Sequence, residues 1–114
     1  MLEKRIKIPI YKGWLTVAID ETLEKAAEPF DLGIDTSIYS ALACNKTVGG
    51  VKEYAILLSK DSSVAAIAHE SKHIVNMVFQ HIGQDLDVKN DEAECYFLEW
   101  VFDQAYKAFL KYKK

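Results

Sequence analysis

Cysteines, prolines and long apolar runs are all scarce in this sequence. Its 114 residues include two cysteines, Cys44 and Cys95, and two prolines. Two widely separated cysteines are too few for a disulfide framework or a paired-cysteine zinc ribbon, so we expect free thiols. No run approaches the roughly 20 apolar residues that span a bilayer, the apolar stretches being short pieces such as residues 54–58. A membrane-spanning protein is therefore not expected.

An excess of positive charge is also missing. Fourteen lysines and arginines face 17 aspartates and glutamates, which gives a formal net charge of -3. Without a global positive field, binding to nucleic acid or to anionic lipid is disfavoured. Residues 1–11 are charged early and lack the apolar segment of a secretory signal, so we expect a cytoplasmic protein.

The composition that remains is that of a globular protein. Half of the residues are hydrophobic and 27% are charged, which does not suit a disordered or fibrous chain. A chain of this length typically forms one hydrophobic core. We therefore expect a single domain that spans residues 1–114.

The first half of the chain predicts strands. Residues 5–10 alternate with the period of a half-buried strand, and Pro9 suggests a place at a sheet edge. A second strand follows at residues 14–19, and then a short helix, capped by Asp20, ends before Pro29.

A second hairpin is predicted in the middle of the chain. Residues 38–44 and 51–58 read as strands, and the segment between them contains Asn45, Lys46, Gly49 and Gly50, residue types that turns favour.

The second half predicts two long helices. From Ser62 to Ile82 apolar residues recur with helical spacing, and Gly83 is a natural stop. A polar connection at residues 84–90 leads to a last helix, whose apolar stripe runs from Ala93 to Tyr112. The order is strand, strand, helix, strand, strand, helix, helix, which predicts an α+β fold.

One motif carries chemistry, and it lies in the middle of the first long helix. Residues His69, Glu70 and His73 form the pattern His-Glu-x-x-His. Residues four apart on a helix differ by only about 40° in direction, so both imidazoles can face one metal ion. A bound zinc lowers the pKa of its water to about 7, and Glu70 is then placed to take the proton as general base. The alternative is that both histidines are ordinary exposed helix residues.

A hydrolytic zinc needs a third protein ligand. Asp91, Glu92 and Glu94 open the last helix and are the candidates. We predict Glu92, because a helix-loop-helix return can bring its carboxylate to the histidine pair. Glu94 lies about 200° away on the same helix, so only one of the two can face the site, and Glu94 stays the alternative. Asp91 and Glu94 also suit the positive end of the helix dipole.

His81 is not predicted to be a ligand. It follows His73 by eight residues, about 12 Å along a continuous helix, which is too far to share one ion. The longer three-histidine zinc motif would need a glycine at Asn76 and a histidine at Phe79, and the sequence therefore excludes it.

These residues resemble the gluzincin branch of the zincin metallopeptidases. A wider segment is similar to small zincin-like proteins of bacteriophages and prophages, in a Gly-Gly strand, an Ala-His-Glu-x-x-His helix and an Asn-Asp-Glu helix start. The matching positions here are Gly49, Gly50, 68–73, 90–92, Tyr96 and Phe97. The resemblance implies a zincin-like fold, a small antiparallel or mixed sheet with the motif on an active-site helix and a C-terminal helix after it. It also implies one Zn²⁺ per chain, held by His69, His73 and Glu92, with Glu70 as base.

The sequence departs from thermolysin-like gluzincins at one position. Those proteins carry an acidic residue four positions after the glutamate ligand, whereas this chain has Tyr96. Support for the histidines then has to come from Asn76, Asp103 or a backbone carbonyl. The candidates for stabilising the oxyanion of the reaction are Tyr96, Tyr54, Tyr39 and His81.

The function expected from these features is zinc-dependent peptidase activity on a peptide or protein substrate. Because a chain of 114 residues leaves the site open, we expect a homo-oligomer or a protein partner to help bind the substrate. A second hypothesis is a zinc-stabilised interaction or virion-associated module without catalysis. A third is a metal-free interaction domain that buries Trp14, Trp100 and Phe102 against a partner.

Overall fold

A four-stranded mixed sheet and three helices form the fold in this computed structural model, which describes residues 1–114. The order of strands and helices confirms the order predicted from the sequence, and the fold is α+β. The strands are β1 (Leu2–Lys7), β2 (Trp14–Asp20), β3 (Ala41–Val48) and β4 (Val51–Ser59). The helices are α1 (Leu23–Ala27), α2 (Val64–Ile82) and α3 (Glu92–Lys113). Short 3₁₀ turns lie at Glu28–Phe30 and Thr36–Ile38.

The strands are arranged in the order β1-β2-β4-β3. β1 pairs with β2 and β3 pairs with β4 in antiparallel fashion, whereas the two central strands β2 and β4 are parallel. A parallel pair needs a crossover connection, and α1 and β3 lie in the chain between β2 and β4. β1 and β3 are therefore the two edges of the sheet.

Both faces of the central strands are buried, which explains why β2 and β4 read as nearly continuous apolar runs. On one face, α2 and α3 pack over the side chains that form the main core. On the other face, α1 covers a smaller cluster that includes Ala18 and Leu57. The strand residues of the main core are Leu15, Val17, Ile19, Tyr54, Ile56 and Leu58.

Capping fixes both ends of α2. The Ser63 hydroxyl accepts a hydrogen bond from the Ala66 N–H, and Gly83 ends the helix in the left-handed conformation, as the sequence predicts. Ile67, Ile74 and Val78 are fully buried and hold α2 against the sheet. The rotation of α2 about its axis is set by this apolar stripe.

Several predicted boundaries shift in the structure. β1 ends at Lys7, so Pro9 lies beyond the edge strand, and Thr22 rather than Asp20 caps α1. β3 extends to Val48, which places Asn45 and Lys46 within the strand. The pairing of Val48 with Val51 leaves a two-residue turn, and the type I′ form of such a turn needs positive φ at both positions. Glycines 49 and 50 supply it, at 58° and 81°.

No helix of this fold combines the length and the hydropathy that a membrane span requires.

Gly13 is the glycine whose replacement the fold tolerates least. Its φ is +112°, and a Cβ there would lie 2.8 Å from the Lys52 carbonyl oxygen. Gly33 also has positive φ, but a Cβ there meets nothing within 4 Å. We predict that Gly13→Ala lowers the free energy of unfolding by roughly 3 kcal/mol, from backbone strain plus overlap. Gly33→Ala should cost about 1 kcal/mol. Urea unfolding measures both, and equal costs would contradict the packing described at Gly13.

Candidate metal centre

The His-Glu-x-x-His motif lies on α2 where the helix passes from the core to the surface. Glu70 is one turn before the fully buried Ile74 and is itself only 9% exposed. His73 and His69 lie about 100° and 140° around the helix from Ile74, and both are exposed. The apolar stripe of α2 therefore turns the carboxylate inward while both imidazoles stay open to solvent.

The three side chains form one cluster of potential ligands. The Nε2 atoms of His69 and His73 are 3.1 Å apart, within hydrogen-bond distance of each other. His69 Nε2 lies 3.9 Å from Glu70 Oε2, and the ligand atoms of all three residues lie within 4.8 Å of one another. In the whole chain, no other group of three histidine, cysteine or acidic side chains is this close.

The separation of the two imidazole nitrogens matches the geometry that zinc requires. Two nitrogens bound to a tetrahedral zinc at about 2.05 Å are separated by about 3.3 Å. The 3.1 Å observed between His69 and His73 is close to that separation, so the pair fits zinc with little movement. Imidazole nitrogen and carboxylate oxygen are also ligands that zinc commonly uses.

Burial tunes the Glu70 carboxyl group. Desolvation raises its pKa above the ordinary glutamate value, and this effect is larger than the opposing effects of His69, His73 and a hydrogen bond from the Ala43 backbone. A raised pKa brings a carboxylate closer to the working pH of a general base. The contact with Ala43 also places Glu70 beside β3, the edge strand.

The two glutamates proposed for the third ligand position have different surroundings. Glu92 is the first residue of α3, is exposed and forms no ion pair. Glu94 lies on the side of α3 that faces α2, and its carboxylate is 2.6 Å from Lys72 Nζ. Lys72 also donates to the Asn76 side chain. Neither glutamate belongs to the cluster of His69, Glu70 and His73, so the third ligand stays a prediction.

The other residues considered in the sequence lie outside the cluster. The imidazole of His81 is hydrogen-bonded to the Tyr54 hydroxyl at 2.7 Å. Asn76 contacts Lys72, and Asp103 pairs with Lys107, so neither of them supports a histidine of the motif. Both cysteines are free thiols, as expected.

Two open grooves flank the cluster, and Tyr39 lines both of them together with His69 and Glu70. Of the four residues considered for the oxyanion, Tyr39 alone lies in these grooves. The larger groove, about 450 Å³, is walled by Ile38 and Ala66, and the smaller, about 280 Å³, by Ala43 and Met77. The sequence alone does not predict these walls, because they depend on how β3 lies against α2.

A further cavity of about 470 Å³ lies on the opposite face of the sheet. It contains Cys44 and an ion pair between Arg5 and Glu53, whose atoms approach to 2.8 Å. No residue of the histidine cluster lines it.

Comparison with known proteins adds no assignment to this α+β chain and its helix-borne cluster. No protein-family model, curated protein or solved structure matches the sequence or the fold.

The buried Glu70 carboxylate should cost stability when no metal is bound. Because its pKa is higher in the folded than in the unfolded chain, the folded state binds more protons, and stability falls as the pH rises between the two values. We predict that Glu70→Gln raises the unfolding midpoint at pH 7 in the presence of a chelator. The gain should disappear below about pH 4, where the carboxyl is protonated in both states.

Thermal unfolding across this pH range is the measurement. Glu99→Gln is the matched control, because Glu99 is an exposed residue of α3 and the same charge is removed. An equal gain in both variants would mean that net charge, rather than burial of Glu70, is responsible.

Proposed function

We propose that this chain is a zinc-dependent peptidase of zincin type, in which His69 and His73 bind the metal and Glu70 is the general base. The observation that carries the proposal is the 3.1 Å separation of the two Nε2 atoms beside a buried carboxylate. A site that only stabilises a fold needs ligands but has no use for a base. The placement of Glu70 between the histidines and β3 therefore favours catalysis over a structural zinc site.

Zinc supplies two things when bound in such a site, a water of lowered pKa and a positive charge that polarises the scissile carbonyl. The remaining work falls to the side chains. Burial holds the Glu70 carboxylate near the two histidines, 3.9 Å from His69 Nε2. From there it can accept a proton from the attacking water. It accepts that proton and delivers it to the leaving amine. Its raised pKa suits both halves of this transfer.

Glu92 is our proposed third ligand. Its carboxylate is exposed and unpaired at the start of α3, so it can turn without breaking an existing contact. Glu94 would first have to leave Lys72, at 2.6 Å. A charge-assisted contact of this length at the partly buried interface of α2 and α3 has to be replaced before Glu94 can bind metal. Metal binding would therefore break an existing ion pair of Glu94, whereas Glu92 has none to break.

The two edges of the sheet differ in a way that favours a peptide as the substrate. β1 carries charged side chains at Glu3, Lys4 and Arg5, which discourage the pairing of another strand. β3 is uncharged from Ala41 to Cys44, and this uncharged stretch lies beside Glu70. Main-chain hydrogen bonds along a free edge hold extended peptides in register. We propose that β3 aligns the substrate across the metal site.

Zinc binding is the first test. We predict one zinc per chain, with His69→Ala and Glu92→Gln each reducing the affinity by more than the roughly 10–100-fold typical of changes around a ligand. Glu94→Gln is the matched control, because it removes a neighbouring carboxylate that binds Lys72. Competition with a chromophoric chelator measures the zinc affinity of the unaltered protein and of the three variants. If Glu94→Gln lost zinc affinity and Glu92→Gln kept it, the third ligand would be Glu94.

Turnover is the second test. We predict that Glu70→Gln retains one zinc per chain and lowers peptide hydrolysis by about 100-fold or more, because the general base is removed while the ligands stay. Mass spectrometry of a digest-derived peptide mixture detects the new termini. Hydrolysis that persists in Glu70→Gln would contradict the mechanism. Zinc binding with no hydrolysis by the unaltered protein would support the non-catalytic zinc module instead.

A further inference from the structure

The larger groove beside His69 suits a particular kind of side chain. We infer that it selects an apolar side chain of an extended peptide bound along β3. This inference rests on the proposed function, because it takes a peptide as the ligand. It adds the part of the substrate that is recognised and the residues that recognise it.

The walls of the groove are apolar and small. Ile38 lies on one side, and Ala65 and Ala66 form the other, on the first turn of α2. No lysine, arginine or aspartate lines the groove, and its only ionisable side chains besides Tyr39 are His69 and Glu70. An apolar side chain gains from burial against Ile38 and the two alanines. A charged side chain would lose water there and find only His69 and Glu70, the residues that the proposed mechanism uses at the metal.

Ile38 is 77% exposed, although its neighbours in the groove include alanines that could pack against a bound group. An isoleucine this exposed does nothing for the core of the protein. Contact with an apolar group of the substrate would bury it, and the groove that it lines is about 450 Å³ in volume. Its exposure is therefore consistent with a binding wall rather than a packing role.

The register of β3 brings alternate substrate residues to this groove. The Ala43 N–H contacts Glu70, so it points away from β4 and toward the free edge. Because the pattern repeats every two residues, Ala41 and Ala43 both direct their backbone groups to that edge. A residue paired opposite Ala41 has its side chain on the same face of the sheet as Ala41. Ala41 lines the groove, so that side chain reaches it.

The second groove receives the next residue on the same face. It is smaller, about 280 Å³, and lies between Ala43, His73 and Met77. Both grooves share Ala41, Tyr39 and the motif residues His69 and Glu70. A peptide along β3 would therefore pass across the metal site, with its largest apolar side chain on the Ile38 side.

Binding of short peptides tests this inference without requiring turnover. The probes are acetylated and amidated pentapeptides Ala-Ala-Xaa-Ala-Ala, in which Xaa is leucine, aspartate or lysine. They are titrated into zinc-loaded Glu70→Gln protein, and amide chemical shifts of Ala65 and Ala66 report where they bind. We expect the leucine peptide to bind about tenfold more tightly than the other two, from burial of its side chain.

A matched pair of variants locates the selectivity. Ile38→Asp, made in the same Glu70→Gln background, should remove the preference for leucine. Ile34→Asp should keep it, because Ile34 is also an exposed isoleucine, at 54%, but does not line the groove. Neither side chain is part of the core, so both variants should fold.

The outcomes separate this inference from the proposed function. Equal binding of the three peptides, no binding of any of them, or a leucine preference that survives Ile38→Asp would overturn the apolar groove. A leucine preference that Ile38→Asp removes, together with no hydrolysis of the leucine peptide by the zinc-loaded unaltered protein, would keep the groove and overturn the peptidase.

Discussion

The packing of α2 against the sheet is the constraint on which the site depends. Ile67, Ile74 and Val78 are fully buried, and they fix the rotation of the helix about its axis. That rotation carries Glu70 under β3 and leaves His69 and His73 at the surface, because neighbouring helical residues are 100° apart. The core therefore orients the acid and the two imidazoles together, and a tilt of α2 would change all three at once.

The sheet adds a second contribution, which comes from the difference between its edges. The central strands β2 and β4 are buried on both faces and need helices on both sides. β1 and β3 remain as edges, and the charges of β1 protect it from pairing while β3 stays uncharged beside Glu70. The same strand whose backbone contacts Glu70 can thus hold an extended chain in front of it. Under the proposed function, support for the base and alignment of the substrate would have one structural origin.

The sequence predicts a large part of this arrangement, for identifiable physical reasons. Helical spacing and Gly83 define α2, and the four-residue spacing of His69 and His73 places both on one side of it. Long-range geometry was harder to predict. The parallel pairing of β2 with β4 follows from how the elements pack, and no local pattern encodes it. The roles of Tyr39 and Ile38 depend on the position of β3 beside α2, and the surroundings of Glu92 and Glu94 depend on how α3 meets α2.

X-ray absorption at the zinc edge of the loaded protein decides whether two imidazoles of α2 bind the metal. We expect a four-coordinate shell of nitrogen and oxygen at about 2.0–2.2 Å, with the outer-shell scattering of two imidazoles. His73→Ala should remove the signal of at least one imidazole. A sulfur neighbour at about 2.3 Å would place the metal at Cys44 or Cys95. That result, or a shell without imidazole, would contradict zinc binding by His69 and His73.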